Sequence, residues 1–265
     1  AAVAAKFGIP LIGVMGEVDI KRVNQNIIKA KHYGAKLKAV PGTLKEAITD
    51  AIKTWITNPD YYYVCGSAVS SFPFPKIVQF AQSIIGREIR EQCLEQEKKL
   101  PNMIIGCVGG GSNFIGSIHE FLDEPNIKKI GVEAAETAAL THGTPNIMQG
   151  MKSYMLASSD GSKSLGGSSL GAGIQYFGVG PQHSYLKDQG AVTYTSATDK
   201  EILNAYKVVA QTEGISSALE PMAAAAEVLK QAKGKPKDFI IVLSLCGRGE
   251  KDLDTIEEHM GKDFE

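Results

Sequence analysis

"MIIGCVGGGSNFIG", residues 103–116, decides the fold. Residues 103–108 form a short apolar run that ends in three glycines, and the residues from about 113 onward have helical spacing. A run of this kind, bounded by glycines, reads as a buried strand. A strand, a glycine loop and a helix start together expose backbone N–H groups that no residue of the chain takes up, and so suit an anion. Glycines let the backbone approach closely and reach positive φ. Ser112 and Asn113 add a hydroxyl and an amide. No Lys-Ser/Thr pair follows, which argues against a nucleoside triphosphate, and the G-x-G-x-x-G spacing of a dinucleotide fold is missing. The loop therefore suits a single phosphomonoester, or is a tight turn with no ligand.

Working outward, strand-like and helix-like segments alternate. Strands are expected at 9–16, 36–40, 61–66, 103–108, 128–134 and 239–245. Helices are expected at 19–34, from the Thr43-x-x-Glu46 capping box onward, at 75–99, from about 113, at 200–213, at 218–232 and at the C-terminal end. Residues 135–198 are rich in Gly and Ser and carry little periodicity. Continuous apolar strands separated by helices predict an α/β fold, with parallel sheets flanked by helices. Ligands in such folds sit at the carboxyl ends of strands, where three glycine-bearing turns fall, after 65, 108 and 245.

The 265 residues allow one large or two smaller domains. A net charge of −1 gives no electrostatic case for nucleic acid or an anionic membrane, and no apolar run is long enough to span a bilayer. The chain opens at Ala1 without a secretory signal, so it reads as starting inside something longer or processed. Cys65, Cys93, Cys107 and Cys246 match no metal spacing. Cys65 and Cys107 read as reduced core residues, which points to the cytoplasm or a plastid stroma.

Seven blocks occur in order from residue 1 to the end: "MGEVD", "GTLKEAI", "CVGGGSN", "GVEAA", "GVGPQHSYLKD", "EGI" with "ALE", and "CGRGEKD". Together they resemble the tryptophan synthase beta subunit family, pyridoxal-phosphate enzymes of the fold type shared with cysteine synthase and threonine synthase. The resemblance implies that Gly109, Gly110, Gly111, Ser112 and Asn113 cradle the cofactor phosphate. It also implies that Gly66 and Ser67 lie near the ring, and that Glu220 and Cys246 flank it. Family members condense L-serine with indole to L-tryptophan, form dimers and pair with an alpha subunit. They also bind a monovalent cation through carbonyls that map to Gly109, Tyr176 and Gly178. Residues 1–72 would be the remainder of the mobile N-terminal domain and 73–265 the cofactor-phosphate domain.

Departures from the family pattern carry further expectations. The cofactor-binding lysine motif and the substrate-carboxylate loop have no counterpart in these residues, so the chain alone is expected to be inactive. Cys246 stands where the family has serine beside the pyridine nitrogen; the plain alternative is a buried small residue at a strand end. Gln175 replaces an aspartate whose partner arginine, on closure, matches Arg22. Ser217 to Glu220 also fits a local capping box. His183 reads as a structural histidine. A non-catalytic truncated relative that binds a phosphorylated ligand, and a related serine or threonine lyase, are the other readings.

Overall fold

The protein is described here from a computed structural model, which covers residues 1–22, 24–158, 165 and 167–264; the side chains of residues 21, 22, 24 and 263 lie outside it. The chain divides into two units, residues 1–65 and 66–265, where the sequence reading placed the division after 72.

In the first unit β1 (Ile12–Gly16) and β2 (Lys36–Val40) pair in parallel, with Ile12 opposite Lys36. Helices Asn24–His32 and Leu44–Thr57 follow the two strands. The expected capping box is present: the backbone N–H and the hydroxyl of Thr43 reach Glu46 Oε2 at 2.8 and 2.9 Å. The strand expected over 61–66 does not form. Tyr and Val favour strands only where a neighbouring strand offers a ladder. Among the described residues no strand pairs with this run, and Tyr62 and Val64 are largely exposed.

The second unit is built on β3 (Met103–Cys107), β4 (Lys128–Ala134), β5 (Thr144–Met148), β6 (Met151–Met155), β7 (Thr193–Ala197) and β8 (Ile241–Ser244). Four of these make a parallel sheet in the order β7-β4-β3-β8, with Met103 opposite both Lys128 and Ile241. Successive side chains of a strand point to opposite faces. Met103, Ile105 and Cys107 pack with Met222 and Ala223 of helix Leu219–Gln231. Ile104 and Val108 pack with Phe114, Ile115 and Ile118 of helix Ser112–Ile118. Both faces are covered, which is why β3 reads as a continuous apolar run.

Two other expectations change. The single helix expected over 75–99 is two, Phe74–Gln82 and Ile84–Glu97. Ser83 interrupts it: its hydroxyl donates to the Phe80 carbonyl at 2.8 Å and accepts from Arg87 Nη1 at 3.0 Å, offering the backbone an alternative to the helical ladder. The stretch 135–198 contains an antiparallel hairpin, β5 with β6, turned by Gln149 (φ 46) and Gly150 (φ 79). Positive φ at both turn residues is the hairpin geometry that matches strand twist.

Candidate functional site

Two neighbouring strands end at the site, and each contributes a wall. The loop after β3 is a wall of backbone. A Cβ on Gly109 would lie 2.4 Å from the Gly173 carbonyl oxygen. Gly111 has φ +90, and a Cβ there would lie 2.2 Å from His183 Nε2. Only glycine fits both places. His183 is fully buried and holds the loop: Nε2 bonds the Gly111 carbonyl at 2.7 Å and Nδ1 bonds the Tyr194 hydroxyl at 2.8 Å. A carbonyl only accepts, so Nε2 carries the hydrogen and Nδ1 accepts from Tyr194. Burial pushes the pKa of His183 down to about 4, so the ring is neutral. Gly180 N donates to the Gly110 carbonyl at 3.1 Å and fixes the loop from the same side. Among the described residues no acceptor takes the amides of residues 110–113, and Gly111 gives the following helix no side-chain cap.

The facing wall is made of side chains. Glu220 Oε1 accepts from Gly173 N at 2.7 Å and from Lys251 Nζ at 2.8 Å, while its Oε2 is buried without a partner. Lys251 also reaches Asp252 Oδ2 at 2.7 Å. Burial pulls the Lys251 ammonium down, but its bonds to Asp252 and Glu220 outweigh this and leave its pKa raised. Asp252 Oδ2 accepts from Leu219 N at 2.9 Å and so serves the start of helix Leu219–Gln231. That replaces the capping box expected from Ser217 and Glu220: the residue before the helix, Ala218, supplies no cap, and the Glu220 carboxylate turns to Gly173 and Lys251.

Between the walls is a cavity of about 240 Å³ lined by Cys107, Gly109–Asn113, Gly173, Ile174, Glu220, Cys246, Gly247 and Lys251. Cys246 is half-buried, lines this cavity and also packs against the core beside β3. Asn113 Nδ2 donates to its sulfur at 2.7 Å, and Cys107 Sγ lies 3.6 Å away. Cys107 is buried as expected, whereas Cys65 is only half-buried.

Seven of the residues singled out from sequence therefore meet: Gly109, Gly110, Gly111, Ser112, Asn113, Glu220 and Cys246. Ser67 lies against the loop, with its Oγ 2.8 Å from where a Cβ on Gly110 would be. A Cβ on Gly66 would meet nothing within 4 Å. The Gln175 amide donates to the Ser169 carbonyl. The Tyr176 hydroxyl donates to Gln149 Oε1 at 3.2 Å, and Gly178 bridges to Met155. The side chain of Arg22 lies outside the described residues. Sequence reasoning missed Gly173, Ile174, Gly247, Lys251 and Asp252. The only signal was the place of Gly247, Lys251 and Asp252 inside the "CGRGEKD" block.

The sequence profile of pyridoxal-phosphate-dependent enzymes matches residues 1–247. The tryptophan synthase beta chain of Allorhizobium ampelinum is 44% identical over 273 residues, covering 98% of this chain and 67% of that protein. A crystal structure of an O-ureido-L-serine synthase mutant with O-ureido-L-serine bound superposes with a TM-score of 0.67 at 18% identity, over 97% of this chain and 70% of the other. At that identity the superposition speaks for the fold.

Proposed function

The chain belongs to the pyridoxal-phosphate-dependent enzymes, on their tryptophan synthase beta-chain branch, and from that premise we propose that residues 109–113 hold the phosphate of pyridoxal 5′-phosphate. The observation that carries this is the backbone wall. Free amides at 110–113 line a cavity where side chains are excluded from Gly109 and Gly111, so a phosphate meets N–H groups directly. Glu220, with an unpartnered carboxylate oxygen in the facing wall, gives the ring a buried acceptor. When bound, the cofactor supplies an electron sink for carbon–hydrogen and carbon–oxygen bond cleavage in an amino acid. The chain's own residues position it. The amides hold the phosphate, Asn113 orients the Cys246 sulfur toward the cavity, and Lys251 pairs with the carboxylates of Glu220 and Asp252 behind the ring site, offsetting one of their two charges. Gly66 and Ser67 would sit by the ring's edge.

The reaction this reading assigns to the whole enzyme is replacement at the β-carbon of L-serine: its hydroxyl leaves as water and a carbon of indole takes its place, giving L-tryptophan. Closure by Arg22 toward Gln175, a monovalent cation on the carbonyls of Gly109, Tyr176 and Gly178, a second copy of the chain and an alpha subunit belong to the same reading. Cys246 and Gln175 depart from the branch pattern and favour, as a second reading, a lyase acting on serine or threonine without indole. No lysine in residues 1–265 sits in the branch's cofactor-binding motif, so the 265-residue chain is expected to hold the cofactor without a covalent bond.

The test is titration of the chain with pyridoxal 5′-phosphate, followed by absorbance and by co-elution in gel filtration. Gly110→Leu should abolish binding and keep the unfolding midpoint close to the parent's, because a Cβ there meets only the side chains of Ser67 and Val69. Equal binding by parent and variant would overturn the phosphate assignment.

A further inference from the structure

The geometry points to Cys107 and Cys246 as an oxidisable dithiol: a reversible disulfide site in the floor of the cavity that excludes, and is excluded by, a ligand bound there. The two sulfurs are 3.6 Å apart. They sit just past the end of one strand pair, since Gly106 of β3 lies opposite Ser244 of β8 and the cysteines follow each by one and two residues. With the sulfurs already 3.6 Å apart, closing the bond needs side-chain rotation and a small shift of the loop after β8. That loop turns at Gly247 with φ +75, and Leu245 and Gly247 beside the cysteine are exposed.

The two thiols are unequal. Both line the cavity, but Cys246 is half-buried whereas Cys107 is 4% exposed, within the core. The hydrogen bond from Cys107 pulls the Cys246 thiol below its ordinary pKa, and the Asn113 amide acts in the same direction against burial. Cys107 is pushed well above the thiol range by its bond to Cys246 and by burial. Cys246 is therefore the nucleophile and Cys107 the resolving thiol.

With hydrogen peroxide as oxidant, the Cys246 sulfur attacks one peroxide oxygen. An S–O bond forms, the O–O bond breaks, and the departing hydroxide leaves as water with the thiol's proton. The Cys107 sulfur then attacks the Cys246 sulfur. The S–S bond forms, the S–O bond breaks, and the second hydroxide takes the Cys107 proton as water. The two thiols lose two electrons in all, and the peroxide gains them. Oxidation draws the Cys246 sulfur away from Asn113 toward β3, and the cavity loses the contact that faces the ring. The exclusion of ligand rests on the reading in the previous subsection; the crosslink does not.

The experiment treats the reduced chain with hydrogen peroxide and reads intact mass and mapped peptides, in the parent and in Cys107→Ser, Cys246→Ser and Cys65→Ser/Cys93→Ser variants. Expected is the loss of two hydrogens, a peptide joining residues 107 and 246, and reversal by dithiothreitol. The crosslink should persist in Cys65→Ser/Cys93→Ser and vanish in either of the other variants. Cys246 oxidised to a sulfinic acid with no crosslink, or a crosslink through Cys65 or Cys93, overturns the inference. Where titration shows pyridoxal 5′-phosphate bound, a concentration about ten times its Kd should slow crosslinking roughly tenfold, as mass action requires. An unchanged rate overturns the mutual exclusion. A reduced chain that crosslinks but takes up no pyridoxal 5′-phosphate counts against the phosphate assignment and for the dithiol.

Discussion

The cavity has two unlike walls. One follows β3 and is closely packed backbone: Gly109 against the Gly173 carbonyl, Gly111 against the ring of a neutral, buried His183. The other gathers around the end of β8 and is a network of charges: Glu220 and Asp252, each within hydrogen-bond distance of Lys251. The first has no room for an added atom at Gly109 or Gly111. The second is defined by charge balance and has one carboxylate oxygen to spare. Shape is thus set on one side of the ligand and polarity on the other, and each side should fail in its own way.

The largest effect should come from the packed wall. Gly111→Ala puts a methyl group at positive φ and into the His183 ring. Left-handed strain and overpacking together should cost about 3 kcal/mol or more of stability. Chemical denaturation of parent and variant measures it, and a loss near zero would mean that the loop is not held by His183.

Acid sharpens the same point. His183 has a folded pKa of about 4, below its ordinary 6.5. The unfolded chain therefore binds the extra proton between these values, and stability is lost as pH falls through that window. Glu133 opposes it. Burial raises its carboxyl to about 7, so the folded state binds the extra proton from 7 down to its ordinary 4.5, and stability is gained there on acidification. The two contributions should offset one another in the parent. Glu133→Gln removes the second and should reveal a loss of about 3 kcal/mol on going from pH 7 to pH 4. Unfolding free energies across that range test it. A variant as flat as the parent would show that His183 is not the buried neutral peg of the loop.

The charged wall should respond less. Lys251→Met leaves the buried Glu220 and Asp252 without their cation, which should cost about 1–2 kcal/mol and weaken pyridoxal 5′-phosphate binding, with the glycine loop intact. Because Lys251 keeps some access to solvent, the effect should stay below that of Gly111→Ala. The reverse order would invert the comparison. Smallest of all should be Cys246→Ser, which keeps a donor and acceptor beside Asn113. Binding should change by no more than a few-fold, roughly 1 kcal/mol or less. In the whole enzyme, product partitioning would be the more sensitive readout.

This contrast also sets what the sequence could disclose. The backbone wall was legible because glycines cluster in one short run, and three of them followed by Ser112 and Asn113 leave few uses. The β3 strand and its helix were legible for the same local reason. The charged wall was legible only in part: the resemblance placed Glu220 and Cys246 by the ring, but Gly173, Glu220 and Lys251 come from three segments far apart in the chain, and nothing local in any of them points to the others. His183 could be read as structural, but its partner Gly111 lies 72 residues away and only the fold joins them. The β5–β6 hairpin escaped because Gln149 occupies a turn position where Asn or Asp would be the usual signal. The strand expected at 61–66 failed for the opposite reason: strong local preference, with no described neighbour to satisfy it.

The place of β8 at the edge of the sheet, next to β3, has a consequence for biosynthesis. Asn102 Oδ1 accepts from Ile240 N across a separation of 138 residues, and the strand pair that carries the cavity closes only when that segment arrives. On a ribosome β3 and its glycine loop would wait, with one edge unpaired, while the sequence as far as residue 244 is made and released. Pairings this distant in sequence form late, and an open strand edge invites association with other chains. Nascent chains halted between residues 108 and 240 should therefore be the species most dependent on chaperones, including those near 240 in which most of the hydrophobic core has been synthesised.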